Sequence, residues 1–364
     1  MDSNCKVCGE KKEIISKELG VCLDCIRTKF HKARKIIEAT HERCRLEHHL
    51  PAKPPKDKAG IPCDICINQC RIGRGKRGYC GVRKNEGGKL VDFGGATLNY
   101  YFEKLPTNCV ADGVCAGCTG AGYPKYANKS GPETGFKSLA VFYGACSFDC
   151  LFCQNWHFRD YLTQPHVVTP EELASQVDER TPCVCFFGGD PTPQIYHALK
   201  AAKIMREKKK GQIFRVCFET NGAMNEDIMK EFAEMALMSG GTVKIDLKAY
   251  DDHLHYALTG VSNKWTFNNF KAVAKMGKSR RQPPLLVAST LLVPGYIDVQ
   301  EISHIAKFIA KIDPNIPYCL LAFYPQFYMY DVPPTSKRLA ETALKAAKKA
   351  GLRHVYVGNK HLLI

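Results

Sequence analysis

Gly144-Ala-Cys146-Ser-Phe-Asp-Cys150-Leu-Phe-Cys153-Gln-Asn-Trp156 carries three cysteines in a C-x3-C-x2-C spacing. That spacing lets all three thiolates turn inward on one tight loop, and soft thiolates so arranged suit an iron-sulfur cluster. A 4Fe-4S cluster needs four ligands, so three cysteines leave one iron open to a substrate or cofactor. The same logic separates an open catalytic zinc site from a closed structural one. The alternative is a closed structural metal knot completed by a fourth cysteine from elsewhere.

The chain has 19 cysteines in 364 residues, many of them in C-x2-C pairs. It carries no apolar run of about 18 residues and no secretion signal. That clustering therefore points to metal and cluster ligation in a reducing cytoplasm, not to a disulfide framework, and no membrane association is expected. The formal charge of +16 overstates the imbalance, because four-thiolate sites are negative once ionised. RNA is one partner a residual positive surface can attract. A solvated surface is the commoner explanation, so RNA is not favoured.

Cys5-x2-Cys8 and Cys22-x2-Cys25 form two knuckles able to close a tetrahedral all-thiolate site, zinc first and iron as the other metal such ligands suit. Residues 26 to 50 have helical spacing, with Ile26, Phe30, Ala33, Ile36 and Ile37 on one face and His41, His48 and His49 expected on a solvated helix end. The proline-rich, charged stretch 51–60 reads as a linker. The expected domains are therefore 1–50, zinc-ribbon-like knuckles with a basic helix, then the linker, a cysteine-rich segment over 61–137, and an α/β domain over 138–364.

Cys63, Cys66, Cys70 and Cys80 lie within 18 residues, enough to enclose a metal or an auxiliary cluster. Arg71, Arg74, Lys76, Arg77, Arg83 and Lys84 follow with no acid between Asp64 and Glu86. Such a run can grip phosphate or offset neighbouring thiolates, and the second use is expected. Cys109, Cys115 and Cys118 suggest a further auxiliary site whose fourth ligand is open: another cysteine, a substrate, or nothing.

From Ser138 the pattern becomes short apolar runs alternating with amphipathic stretches, the mark of repeated βα units. Strands are expected over 139–143, 183–187, 214–219, 243–247, 285–292, 318–323 and 355–357. Six or so such units make a partial or complete β/α barrel, with chemistry at the carboxyl ends of the strands. Cys44, Cys183, Cys185, Cys217 and Cys319 read as small core or strand residues. The aromatic run from Phe323 to Tyr330 can line a pocket or simply pack.

The three-cysteine loop with its aromatic companions, followed by Gly188-Gly189-Asp190, Glu219-Thr-Asn221-Gly, Asp246-Leu-Lys248 and Leu292-Val-Pro-Gly295, resembles the radical S-adenosylmethionine (SAM) enzymes. It is most similar to the activating enzymes of glycyl-radical enzymes such as pyruvate formate-lyase. Within them it looks closest to the AmmeMemoRadiSam branch, on the 63–83 segment, on Phe323-Tyr-Pro-Gln-Phe-Tyr-Met329 and on the terminal Tyr356-Val-Gly-Asn359. The likeness spans roughly residues 61–364.

It implies a radical SAM barrel whose Cys146, Cys150 and Cys153 hold the 4Fe-4S cluster. The open iron would chelate the amino and carboxylate groups of SAM. By position Phe152 would lie near the adenine and Asn155 near the SAM tail. Gly188, Gly189 and Asp190 would meet the amino group, Asp246 and Lys248 the carboxylate and ribose, with or without a cation between Glu219 and Asp246, and Asn221 is a further cofactor-binding candidate. Departures are Asp190 for the usual Glu, Glu219 for the usual Asp, Gln154 where activases commonly carry His, and the extra 109–118 cysteines.

The function implied is reductive SAM cleavage to a 5′-deoxyadenosyl radical that abstracts hydrogen from a protein or small-molecule substrate, with a ferredoxin or flavodoxin as electron donor. An RNA-modifying enzyme and a non-catalytic iron-sulfur or zinc adaptor are the alternatives.

Overall fold

The computed structural model describes residues 3–107 and 109–364. The apolar runs become strands β1 (Ala96–Lys104), β2 (Lys137–Tyr143), β3 (Val167–Val168), β4 (Cys183–Gly188), β5 (Arg215–Thr220), β6 (Val243–Asp246), β7 (Leu286–Leu292), β8 (Tyr318–Ala322) and β9 (Val355–Gly358). They form a nine-stranded sheet in the order β9-β8-β7-β6-β5-β4-β2-β1-β3. Strands β2 and β4 to β9 run parallel, while β1 is antiparallel to β2 and β3 to β1. Among the described residues β9 and β3 are not paired to each other, so the barrel is partial.

Alternation along the strands decides what faces where. Val184, Phe186, Val216, Phe218 and Ile245 are fully buried on the outer face. Helices α3 (Ile195–Lys208), α4 (Glu226–Ser239), α5 (Asp252–Thr259), α6 (Lys264–Gly277), α7 (Val299–Ile312) and α8 (Lys337–Lys349) lie between the parallel strands in the chain. Phe232 of α4 lies 3.6 Å, centroid to centroid, from Phe218. The intervening positions, Cys185, Cys217, Glu219, Lys244 and Asp246, turn to the inner face. Asn225, Asp251, Asp298 and Ser336 cap α4, α5, α7 and α8, and Thr169 with Glu172 forms a capping box ahead of a short helix at 170–175.

The front of the chain departs from the expected single helix. Lys29, at φ −128° and ψ 33°, separates α1 (Leu23–Thr28) from α2 (Phe30–Glu47). This segment lies across the loops that follow β7 and β8. The Ser16 N–H donates to the Tyr296 hydroxyl at 3.0 Å, which in turn donates to the Val21 carbonyl at 3.2 Å. Arg27 donates to Asp298 and to buried Glu301, each at 2.8 Å. The 51–60 stretch is also pinned, through Arg45 Nε to the Pro51 carbonyl at 2.6 Å and Lys56 Nζ to the Gln69 carbonyl at 2.8 Å. Among the described residues no helix is long and apolar enough to cross a membrane.

Two buried histidines link the fold to pH. His197 meets the Tyr143 hydroxyl at 2.9 Å, and His255 Nδ1 lies 2.8 Å from the Val261 carbonyl. Among the described residues the Nε2 of each ring has no hydrogen-bond partner. Burial pushes both down to about 4. The unfolded chain then binds more protons than the native one between about pH 4 and 6.5, so native stability is full above 6.5 and declines on acidification. Each ring accounts for up to about 3 kcal/mol of that decline. Denaturant unfolding between pH 7 and 4 should show it, and His197→Gln should flatten the slope.

Candidate functional site

Six backbone and side-chain contacts fix the loop that follows β2. The Asp149 and Leu151 N–H groups donate to the Thr259 and Leu258 carbonyls at 2.9 and 3.0 Å, at the end of α5. The Ser147 carbonyl accepts from Asn68 Nδ2 at 2.7 Å, and its hydroxyl from Asn221 Nδ2 at 2.9 Å. The Gly189 and Asp190 N–H groups donate to the Tyr143 and Ala145 carbonyls. Gly188 sits at φ +114°, and a Cβ there would stand 2.4 Å from the Tyr143 nitrogen. No other residue fits where β4 ends so close to β2.

Cys146, Cys150 and Cys153 open from this loop onto a cavity of about 920 Å³. Burial pushes the Cys150 thiol up to about 12, and Lys248 and Arg159 oppose that rise. The Phe148 N–H lies 3.4 Å and Asn221 Nδ2 3.8 Å from the Cys146 sulfur. Donors aimed at sulfur, beside cationic side chains, fit thiolates bound to a cluster.

Behind the loop sits Asp149, fully buried between two of these cysteines. Its Oδ2 is 2.9 Å from His41 Nδ1, and its Oδ1 accepts from Arg159 at 3.0 Å and Cys44 Sγ at 3.5 Å, with Arg45 at 3.8 Å. Burial disfavours the carboxylate, but His41, Arg45 and Arg159 outweigh it and hold the group well below its usual range. The expectation of a solvated His41 fails because α2 turns that face onto the cluster loop. His48 is half-buried beside Trp156 and Phe327, and His49 is exposed. Cys44 is as buried as expected, yet it touches a carboxylate.

Across the cavity the β5 and β6 side chains form a charged ladder. Lys244 Nζ lies 3.1 Å from Glu219 and 2.8 Å from Asp246, and Lys248 Nζ lies 3.1 Å from the other Asp246 oxygen. Ser289 also donates to Asp246, because the two are register partners. Burial opposes the Asp246 carboxylate, and the two ammonium groups more than reverse this, keeping it ionised. Lys244 is the member missed from the sequence. The same i, i+2 alternation that pairs Asp246 with Lys248 would have found it.

Asn155 Nδ2 donates to the Gly188 carbonyl at 3.3 Å, and Phe152 lies 5.6 Å beneath Lys248 Nζ. Both oxygens of Asp190 are already engaged, by the Thr192 N–H at 2.8 Å, the Asn221 N–H at 2.6 Å and the Thr220 hydroxyl at 3.1 Å. Asp190 therefore ties the end of β4 to the end of β5. Phe327 stacks on Trp156 at 5.7 Å and Phe323 is fully buried, whereas Tyr324 and Tyr330 are exposed, and none of the aromatic run lines the cavity.

The other candidate ligand cysteines fall into three groups. Cys5, Cys8, Cys22 and Cys25 have all four sulfurs within 4.8 Å of one another, the spacing a single tetrahedral ion requires, since Zn–S bonds near 2.3 Å place sulfurs about 3.8 Å apart. N–H groups of Val7 and Cys22 point at the Cys5 sulfur at 3.4 Å, and despite burial such bonds lower this thiol to about 6. Cys63, Cys66, Cys70 and Cys80 gather under the cluster loop, with the Tyr79 N–H on Cys70 and Asn68 on Cys66. The arginines beside them are spent on carbonyls: Arg71 on Asp57 and Lys58, Arg77 on Gly81 and Arg83 on Pro193. Cys109, Cys115 and Cys118 sit on the loop between β1 and β2.

Residues 140–309 match the radical SAM superfamily. The chain carries a radical SAM domain. A 4Fe-4S cluster and SAM are the cofactors this domain implies. Over 310 residues the enzyme is 26% identical to an uncharacterized protein of Methanocaldococcus jannaschii, covering 83% of this chain and 82% of that one. A putative glycyl-radical enzyme activating enzyme of the same organism is 27% identical over 51% of this chain and 67% of its own. The pyruvate formate-lyase 1-activating enzyme of Escherichia coli K12 is 27% identical over 45% and 64% respectively.

Asp149→Asn should leave Arg45 and Arg159 facing a neutral amide at a cost of about 3–5 kcal/mol. The expected outcome is a lower unfolding midpoint together with less cluster iron after reconstitution. Full iron loading and an unchanged midpoint would show that the carboxylate does not set the loop.

Proposed function

We propose that the protein reductively cleaves SAM and uses the resulting radical to take a hydrogen atom from a substrate held in the barrel. The observation that carries this reading is one cavity lined at once by Cys146, Cys150, Cys153, Gly188, Glu219, Asp246 and Lys248. A 4Fe-4S cluster held by the three cysteines would supply the electron, with SAM chelated at its open iron.

The chain's own residues would orient SAM. Lys248 would pair with its carboxylate and Asp246 with a ribose hydroxyl, Lys244 holding Asp246 ionised for that task. The edge of β4 at Gly188 and Gly189 offers backbone close to the amino group. Asn155 and Asn221 brace the two sides of the same wall, with Phe152 under the adenine. Asp190 acts by fixing Asn221, since its oxygens are occupied.

A cavity near 920 Å³ suits SAM with a small molecule or one side chain of a protein loop beside it. A ferredoxin or flavodoxin is the class of electron donor that fits. RNA is not favoured, because the arginines at 71, 77 and 83 are consumed internally. Zinc at Cys5, Cys8, Cys22 and Cys25 would staple the front segment on which α2, and hence Asp149, depends. Cys63, Cys66, Cys70 and Cys80 would hold an auxiliary cluster.

Anaerobic reconstitution, reduction and SAM addition should yield 5′-deoxyadenosine, and Cys150→Ala should abolish it. No nucleoside and no SAM-dependent change in the cluster spectrum would replace this reading with the adaptor. Lys248→Ala should raise the Kd for SAM by roughly 10- to 100-fold, the loss of one charged hydrogen bond. Metal analysis should find one zinc per chain, displaced in Cys8→Ser with a fall in the thermal midpoint.

A further inference from the structure

Glu301 sits in the first turn of α7, fully buried and not part of the cavity wall. Its Oε1 accepts from the Tyr250 N–H and, at 2.8 Å, from the Asp251 N–H. Its Oε2 accepts from Arg27 Nη2 at 2.8 Å. A carboxylate withdrawn from water is costly unless its charge and lone pairs are met. Here α1 supplies the opposite charge, and the two N–H groups come from the turn at 247–251 that carries Lys248.

Asn263 Nδ2 holds the carbonyl side of that turn, donating to Ala249 at 3.1 Å and to Tyr250 at 2.8 Å, and the Leu247 carbonyl accepts from Thr290. Among the described residues the Tyr250 and Asp251 N–H groups have no acceptor besides Glu301. The turn leads into α5, whose last carbonyls, Leu258 and Thr259, receive the N–H groups of Leu151 and Asp149. This eight-residue helix joins the Lys248 turn to the cluster loop across about 12 Å. The front segment lies along it. Phe30 stacks on His253 at 4.1 Å, the Tyr256 hydroxyl donates to Glu38 at 3.4 Å, and His41 Nε2 lies 3.1 Å from the Ala257 carbonyl.

Arg27 is placed by the front thiolate site. It follows Cys25 by two residues on the six-residue α1, and Cys22 is the N-cap of that helix. Both sulfurs belong to the four that lie within 4.8 Å of one another. A metal held there fixes α1 at both points, whereas so short a helix left to itself is not stable.

We propose that Arg27 and Glu301 are positioning residues for SAM, carrying the order of the front metal site to the turn that presents Lys248. SAM then binds more tightly when Cys5, Cys8, Cys22 and Cys25 hold their metal, and by linkage it tightens their hold by the same factor. The Lys248 contact with SAM rests on the function proposed above; the link from the front site to the turn does not.

The full chain, reconstituted anaerobically, is compared as wild type, Cys8→Ser, Arg27→Met and the double variant, with zinc and cluster iron counted in each. The Kd for SAM, read from the change in the EPR signal of the reduced cluster, should rise at least about fivefold in each single variant. The double variant should bind no more weakly than Cys8→Ser, because both changes cut one route. An unchanged Kd in Arg27→Met, as a merely structural arginine would give, or losses that multiply in the double variant would overturn the proposal.

If Arg27→Met fails to load its cluster, Glu301→Gln replaces it. The amide keeps an oxygen for the two N–H groups and Asp298 keeps Arg27 paired, so only the ion pair to the turn is lost. SAM binding should weaken by a similar factor, and a Kd equal to that of the wild type overturns the proposal. Hydrogen exchange reads the link without SAM: the Tyr250 and Asp251 amides should exchange faster in Cys8→Ser than in the wild type, and equal protection would overturn it. Faster exchange in a chain that binds no SAM would sink the function proposed above and leave the link in place.

Discussion

Asp149 is the point on which the two halves of the molecule meet. A carboxylate removed from water between Cys146 and Cys150 is costly alone, and it persists because two guanidinium groups, an imidazole and a thiol converge on it. Three of those groups, His41, Cys44 and Arg45, travel together on α2. Arg45 continues the connection by donating to the Pro51 and Tyr79 carbonyls while stacking on the Tyr79 ring. The front thiolate ribbon, the 63–80 segment and the loop after β2 are thereby one packed unit, and whatever orders the front segment also orders the loop.

The inner face of the sheet applies the same physics in a different form. Glu219, Lys244, Asp246 and Lys248 alternate in sign across two adjacent strands, so each buried charge faces an opposite one. The ladder keeps Asp246 ionised in a walled cavity where a lone carboxylate would take up a proton. Charge fixed in advance in such a place can bind a zwitterionic ligand without reorganising.

Much of this was legible one residue at a time. Seven parallel-sheet strands fell within two residues of their expected bounds, because apolar runs flanked by glycine and capping residues are local signals. The misjudged positions were those whose partner lies far away. His41 looks like any polar residue near a helix end until Asp149, 108 positions on, is packed against it. Asp190 looks like a free acid until β5 is laid beside β4, where the Asn221 N–H and the Thr220 hydroxyl take Oδ2 while the Thr192 N–H takes Oδ1.

The sequence by itself determined the candidate ligand spacings and the periodicities: three thiols within eight residues, two knuckles able to surround one ion, and strands whose every second residue is apolar. These are properties of covalent spacing and of the pleat, and they survive without a tertiary context. The tertiary structure alone decided which buried charges would meet, that Ser289 and Lys244 would share Asp246, and that Cys109 would open onto the same cavity as the cluster loop. Those contacts depend on strand register and on how a closing loop is anchored, which follow from packing summed over the whole chain and from no single stretch of it.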